Sequence, residues 1–276
     1  MRGTMPSAIV VGVSIGIGEA IAHALLDLEW SVVGTVRRTC ETDASYLSGV
    51  IDYCDLSEVA SVDAALPRIS DLSGSWDALV VAPGTLDPIG RLSDVDPDAW
   101  AQSIDVNFVN QVRIVQGLLP SARHDGDLQP IVIFFAGGGS NSATVGFSAY
   151  TAAKIALTKV TELLDAEYPN VRFCIIGPGW VNTKIHDQAL SNPHTPIDIR
   201  LETERRISAN DFVSMADLVD TVLWALGAPK DVIGGRNISV AHDPVHQEGF
   251  ATGLAADRDL LKLRRNGNGY RWMEQG

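Results

Sequence analysis

Three cysteines are few for 276 residues, and Cys40, Cys54 and Cys174 are odd in number and far apart. That spacing excludes a disulfide framework and offers no CxxC zinc site. Basic residues are also scarce, with 21 Lys and Arg against 34 Asp and Glu and a formal net charge of −13. Displacing counterions from a phosphate backbone needs clustered cations, so no nucleic-acid partner is expected. No apolar run reaches the ~18 residues that a membrane-spanning helix needs. The apolar stretch 8–26 is interrupted by Gly12, Gly16, Gly18 and Glu19, and it lacks the basic segment and cleavage site of a secretory leader. A reducing, cytoplasmic setting without membrane association is the expectation. His242 and His246 are four apart, but Pro244 lies between them and no third ligand is evident. No metal is expected.

Apolar residues make up 46% of the chain and charged residues 20%, ordinary proportions for a folded globular protein. Short apolar runs at 8–13, 31–36, 49–52, 77–81, 131–136, 171–177 and 237–240 read as strands. After the first run, Ile17, Ala20, Ile21, Ala24, Leu25 and Leu28 recur at helical spacing and form one apolar face. Further helices are expected at 58–69, 98–119, 148–168 and 215–227. Near-continuous apolar strands alternating with helices imply an α/β fold, a doubly wound parallel sheet of Rossmann type with about seven strands. No repeat or low-complexity linker divides it, so 1–276 reads as a single domain. Two pieces lie outside the alternation. Residues 182–212 are polar, contain Pro193 and Pro196, and read as a lid over a ligand site. The tail 243–276 carries Leu260, Leu261 and Leu263 among basic residues. It reads as docked on the body or on a neighbouring subunit, or as partly disordered.

Gly12-Val13-Ser14-Ile15-Gly16-Ile17-Gly18 sits where the first strand hands over to the first helix. Glycines there permit a tight turn and let a pyrophosphate approach the helix N-terminus. The spacing is GxxxGxG rather than GxGxxG, so close packing without a ligand stays open. The second strand ends Thr35-Val36-Arg37-Arg38, with no carboxylate for a ribose 2′-hydroxyl. Two arginines in an acidic chain favour the 2′-phosphate of NADP over NAD, with a solvated surface pair as the alternative. Ser14 adds a hydroxyl rather than a further positive charge.

Tyr150 and Lys154 are four residues apart at the start of a helix, hence on one face. A nearby ammonium favours the phenolate and draws a tyrosine pKa from about 10 towards neutrality. The pair suits proton transfer. GxxxGIG at the N-terminus, YxxxK at mid-chain and Pro178-Gly179-Trp180-Val181-Asn182-Thr183 after the sixth strand occur in a characteristic order. Together with Asp55-Leu56 after the third strand and Asn107 before the fifth, they resemble the short-chain dehydrogenase/reductase family over residues 6–245.

The resemblance implies roles for particular positions. Gly12, Gly16 and Gly18, with Ser14, Ile15 and Ile17 between and beside them, would hold the pyrophosphate. Arg37 and Arg38 would hold the adenosine phosphate, and Asp55 and Leu56 would border the adenine. Ala82 and Gly84 would also border the cofactor. Tyr150 would pass a proton to a carbonyl oxygen as hydride reaches the carbon. Lys154 would bind the nicotinamide ribose, and Asn107 would hold a relay water. Pro178, Gly179, Val181 and Thr183 would fix the nicotinamide, Thr183 at its carboxamide. The implied enzyme interconverts a carbonyl and a secondary alcohol with NADP, acts on a small molecule, and forms a homodimer or homotetramer. Ala152, Ile155, Ala156, Val160, Leu163 and Leu164 supply an apolar stripe for such an interface, or for the helix's own sheet.

Two positions depart from the family pattern. The usual Asn-Ala-Gly after the fourth strand reads Ala82-Pro83-Gly84, so an asparagine that steadies the sheet is missing. The carbonyl-polarising serine falls at Gly137, within Ala136-Gly137-Gly138-Gly139. Ser140 is the first replacement, Ser142 the second and a backbone N–H of the glycine run the third; a loop that only makes room for a bulky substrate is the alternative. The serine gap also leaves open a non-catalytic NADP-binding sensor. An epimerase or dehydratase acting on a sugar nucleotide ranks last, because the chain and its lid are short. The mixed charge of the lid, from His186, Arg200, Glu202, Glu204, Arg205 and Arg206, favours a polar or medium-sized substrate.

Overall fold

The computed structural model describes residues 5–37, 46–51, 53–127, 129–139, 143–183 and 185–265. Seven strands form one sheet: β1 (Ser7–Val11), β2 (Ser31–Thr35), β3 (Gly49–Ile51), β4 (Ala78–Val81), β5 (Ile131–Phe135), β6 (Arg172–Gly177) and β7 (Asn237–Ser239). Their order is β3-β2-β1-β4-β5-β6-β7, and every pairing is parallel. Ala8 lies opposite both Val32 and Ala78, which fixes the central register.

Alternation along each strand feeds two cores. Ala8, Val10, Ile133 and Ile176 face a layer containing α1 (Ile17–Asp27) and α8 (Met215–Gly227). Ile9, Val11, Phe134 and Ile175 face the layer of α2 (Val59–Ser73), α4 (Asn110–Leu118) and α5 (Ser148–Glu167). Each fully buried Ile or Leu contributes about 1.5–3 kcal/mol by leaving water. Both faces need a cover, and the helices provide it. Strand order reverses between β1 and β4, so a crevice opens at the carboxyl ends of those strands.

Three expectations change in detail. The helix expected at 98–119 is α3 (Pro97–Ile104), a single π-helical turn (Asp105–Val109) and α4. Asp96 caps α3 by accepting from the N–H groups of Asp98 and Ala99, both at 2.9 Å. The lid 182–212 contains two helices, α6 (Ile185–Ser191) and α7 (Ile197–Ala209). The tail beyond Asp243 docks on the body as far as it is described. Past α9 (Lys230–Ile233), it carries α10 (Phe250–Ala256), and buried Arg236 donates to the carbonyls of Leu254, Asp257 and Leu260. Among the described residues no helix is long and apolar enough to cross a membrane, and no group of three or more His, Cys, Asp or Glu is arranged to hold a metal ion. His246 pairs with Asp220 instead.

Candidate active site

The β1–α1 turn is tied to β2 before it meets any ligand. Gly12 N–H donates to the Thr35 carbonyl and hydroxyl, both at 3.1 Å, and Val13 N–H donates to the same carbonyl at 2.9 Å. Gly12 and Gly16 have φ of +84° and +69°, a region that glycine enters without penalty. A Cβ on Gly18 would lie 2.1 Å from the Gly12 carbonyl oxygen, so only glycine fits there. Gly16 precedes α1 with no side-chain cap, leaving the first N–H groups of the helix open to an anion. The turn is thus a glycine-lined hollow at an uncapped helix start, with Thr183 3.5 Å from a Cβ built on Gly16. Arg37 is exposed just beyond β2, and no carboxylate pairs with it among the described residues. Arg38 lies outside the described residues.

The neighbouring loop is fixed by its own hydrogen bonds. Asp55 accepts from Ser57 N–H at 2.9 Å and Oγ at 2.7 Å, and buried Leu56 offers its carbonyl to Asn110 at 2.8 Å. Cys54 is a buried packing residue: burial pushes its thiol up to about 11, against a smaller opposing effect from a Thr35 hydrogen bond.

At the centre, α5 presents Tyr150 and Lys154. Lys154 is buried, and its Nζ donates to the Phe135 carbonyl at 2.9 Å and stands 6.0 Å from the centre of the Tyr150 ring. Burial draws the ammonium down to about 8 and pushes the Tyr150 phenol up to about 12. The expected fall in the tyrosine pKa is therefore reversed. Nζ is spent on a carbonyl rather than the phenol oxygen, and loss of water dominates for both groups.

Asn107 sits in the π turn, fully buried. Its Oδ1 accepts from Thr85 N–H at 3.0 Å; its Nδ2 donates to the Thr85 carbonyl at 2.9 Å and the Ser103 carbonyl at 3.0 Å. The side chain braces the loop after β4. Gly84 lies beneath it, with a built Cβ 3.3 Å from Asn107 Oδ1 and 3.8 Å from Lys154 Nζ. Gln111, not singled out from sequence, donates to the Pro83 carbonyl at 2.9 Å and so steadies the loop that lacks the usual asparagine. It stands four residues beyond Asn107, the helical spacing that would have revealed it.

The lid closes on both sides of the crevice. Gly179 turns the chain with φ +71°, and Val181 pairs with Val213. Trp180 stacks on His186 at 4.8 Å, and the Arg206 guanidinium lies 4.8 Å from the indole. Trp180 is thus a platform inside the lid. His186 Nε2 donates to the Val181 carbonyl at 2.9 Å, and burial pulls its pKa down. Gln188 reaches across: it accepts from Leu86 N–H at 3.0 Å and donates to Thr85 Oγ1 at 3.1 Å and to Asp87 at 3.0 Å. Gly90 N–H donates to the Gly146 carbonyl at 2.8 Å. A cavity of about 230 Å³ opens at this junction, with Arg91, Asp94 and His194 in its wall.

The β5–α5 loop carries the second departure. A Cβ on Gly137 would lie 2.5 Å from Tyr150 Oη and 2.7 Å from the ring carbons Cζ and Cε1. The tyrosine fills the space that a side chain at 137 would need. Ser140 and Ser142, the expected replacements, lie outside the described residues.

The profile of the family described as short chain dehydrogenase matches residues 6–193. An uncharacterised oxidoreductase of Saccharomyces cerevisiae is 25% identical over 249 residues, covering 86% of this chain and 95% of the relative. The crystal structure of a yeast short-chain dehydrogenase/reductase superposes with a TM-score of 0.77 at 21% identity, over 87% of this chain and 98% of that one. A short-chain dehydrogenase from Burkholderia cenocepacia, in complex with NADP, gives 0.70 at 21% identity, over 85% and 95%. The chain belongs to the short-chain dehydrogenase family. It is an enzyme of that oxidoreductase family, whose members use NAD or NADP.

Proposed function

We propose that the protein interconverts a carbonyl compound and a secondary alcohol with NADP, Tyr150 carrying the proton. The observation that carries this reading is the placement of Tyr150 and Lys154, on α5, beside the same crevice as a glycine cradle that accepts no side chain at position 18. Gly12, Ser14, Ile15, Gly16, Ile17 and Gly18 would hold the pyrophosphate. Arg37, with Arg38, would meet the 2′-phosphate, and Asp55 and Leu56 would flank the adenine. Ala82, Gly84, Pro178, Gly179, Val181 and Thr183 would enclose the nicotinamide end. The NADP seen in the Burkholderia relative agrees with the arginine and the missing carboxylate. The cofactor, when bound, supplies the hydride. This chain supplies orientation, exclusion of water and a proton from Tyr150 Oη.

Lys154 keeps positive charge beside that phenol below about pH 8. Asn107 contributes as a brace, and any relay water would meet a side chain already engaged at Thr85. The mixed charge of the lid, from His186, Arg200, Glu202, Glu204, Arg205 and Arg206, favours a polar, medium-sized substrate. Free, buried Cys54 and Cys174 suit a reducing compartment such as the cytoplasm. Ala152 and Leu163 are exposed along α5, with Ile155 and Ala156 partly exposed between them, a stripe suited to a homodimer or homotetramer.

A panel of ketones, aldehydes and alcohols, read by NADPH absorbance, tests the reading. Turnover of at least one carbonyl is expected, lost in Tyr150→Phe while NADPH affinity stays within about two-fold. Equal turnover by wild type and variant removes the reading.

A further inference from the structure

A carbonyl oxygen that gains negative charge needs more than one hydrogen-bond donor, and removing one such donor costs about 10²–10³ in rate. Tyr150 Oη is a single donor. One neighbour of that hydroxyl is backbone: a Cβ on Gly137 would stand 2.5 Å from it, so the Gly137 main chain passes close to the phenol. No side chain at 137 shares that space while Tyr150 stays in place.

Each glycine of the run has a different setting. Gly139 has φ +98°, and a Cβ there would meet the Thr151 methyl at 2.6 Å; it is glycine for conformation and for space. Gly137 is glycine because of Tyr150. Gly138 answers to neither reason: its φ is not in the left-handed region, it is exposed, and a Cβ on it meets nothing within 4 Å. Its nitrogen is bonded to the carbonyl carbon of Gly137, the residue whose main chain lies close to the phenol. The N–H groups of Gly137, Gly138 and Gly139 have no acceptor among the described residues, whereas Ala136 N–H before them donates to the Ile176 carbonyl at 2.8 Å. Backbone donors left unspent beside a reacting group are the means by which main chain binds an oxyanion.

We propose that the backbone N–H of Gly138 is the second donor to the substrate oxygen, so that the glycine run does with main chain what a serine hydroxyl does elsewhere in the family. This rests on the carbonyl-reductase reading of the site. As the carbonyl carbon accepts hydride, its π pair moves to oxygen. That oxygen takes the proton of Tyr150 Oη, and the Gly138 N–H holds the charge without giving up its hydrogen. Such a donor acts in the transition state and is read in kcat more than in KM.

The test compares Gly138→Ala, which keeps the N–H, with Gly138→Pro, which deletes it, beside a Ser140→Ala/Ser142→Ala double variant. NADPH affinity by tryptophan fluorescence and thermal melting are followed throughout. The alanine and double-serine variants are expected within about three-fold of wild-type kcat. The proline variant is expected to fall about 10²–10³-fold in kcat with NADPH affinity and melting unchanged. Proline activity within three-fold of alanine, or a 10²-fold loss in the double-serine variant, overturns the proposal. Should the proline variant fail to fold, Gly137→Ser decides. The geometry requires that an added side chain displace Tyr150 and lower kcat at least 10-fold, and a gain in kcat overturns the main-chain assignment. Failure of the reductase reading looks different, because wild type and Tyr150→Phe would then turn over alike.

Discussion

Lys154 Nζ donates a 2.9 Å hydrogen bond to the carbonyl of Phe135, the last residue of β5, and is buried there with no carboxylate partner among the described residues. The ammonium is therefore costly to keep charged, and its pKa falls from 10.5 to about 8. A lysine with a lowered folded pKa binds fewer protons folded than unfolded between those values. Stability from this group accordingly rises with pH from about 8 to 10.5, and the full penalty persists below 8. The shift corresponds to a penalty on the order of 3 kcal/mol, partly offset by the hydrogen bond to Phe135. Lys154→Met should stabilise the cofactor-free protein relative to wild type most at pH 7, with the gap shrinking towards pH 10.5. Denaturant melts at both pH values check it; a gap that does not move with pH rules out the assignment.

Arg37 stands exposed at the end of β2 with no carboxylate partner among the described residues. NADPH should bind more tightly than NADH. Arg37→Ala should weaken NADPH by about 10-fold, the scale of one charge-assisted hydrogen bond, and leave NADH nearly unchanged. Fluorescence titration with both cofactors measures this, and equal losses for the two would sink it.

Gln188 spends both ends of its amide on the loop after β4, through Thr85, Leu86 and Asp87. The lid begins at the other side of the crevice, where Thr183 lies beside the Gly16 turn, 3.5 Å from where a Cβ on Gly16 would stand. If the cofactor is held between them, as proposed, loosening the Gln188 attachment should speed its release. Gln188→Ala removes three hydrogen bonds worth about 0.5–1.5 kcal/mol each. NADPH release, followed by stopped-flow displacement, should accelerate by 10-fold or more, and an unchanged release rate argues that the lid is not the barrier.

Leu163 is 48% exposed on the outer face of α5, while Ala153 and Leu157 serve the sheet. Light scattering at micromolar concentration should report a mass above that of one chain, and Leu163→Glu should lower it. A monomer-mass peak for wild type removes the interface.

The helix Met215–Gly227 was readable residue for residue, because Ser214 caps its start and apolar residues recur along one face. The lid helix Ile197–Ala209 was not. Its apolar residues Ile197, Leu201 and Ile207 are exposed, and polar side chains anchor it, Arg206 on Trp180 and Arg200 on the Asn192 carbonyl. The break between α3 and α4 was likewise hidden. It serves bonds from Asn107 to Thr85, a residue far away in the chain, and helical periodicity carries no trace of such a partner.

The candidate site divides in the same way. Local spacing was enough to put glycines at a strand-to-helix turn, to put Tyr150 and Lys154 on one helix face, and to show that position 137 has no side chain. Near-continuous apolar strands alternating with helices implied a parallel sheet with two covered faces, since period and composition are properties of short segments. Burial, by contrast, belongs to the assembled protein. Only the tertiary structure decided that Lys154 would face Phe135 rather than the phenol, that loss of water would push the two pKa values apart, and that Tyr150 would fill the space beside Gly137. Each depends on which distant segments exclude water from a group, and no window of sequence contains that information.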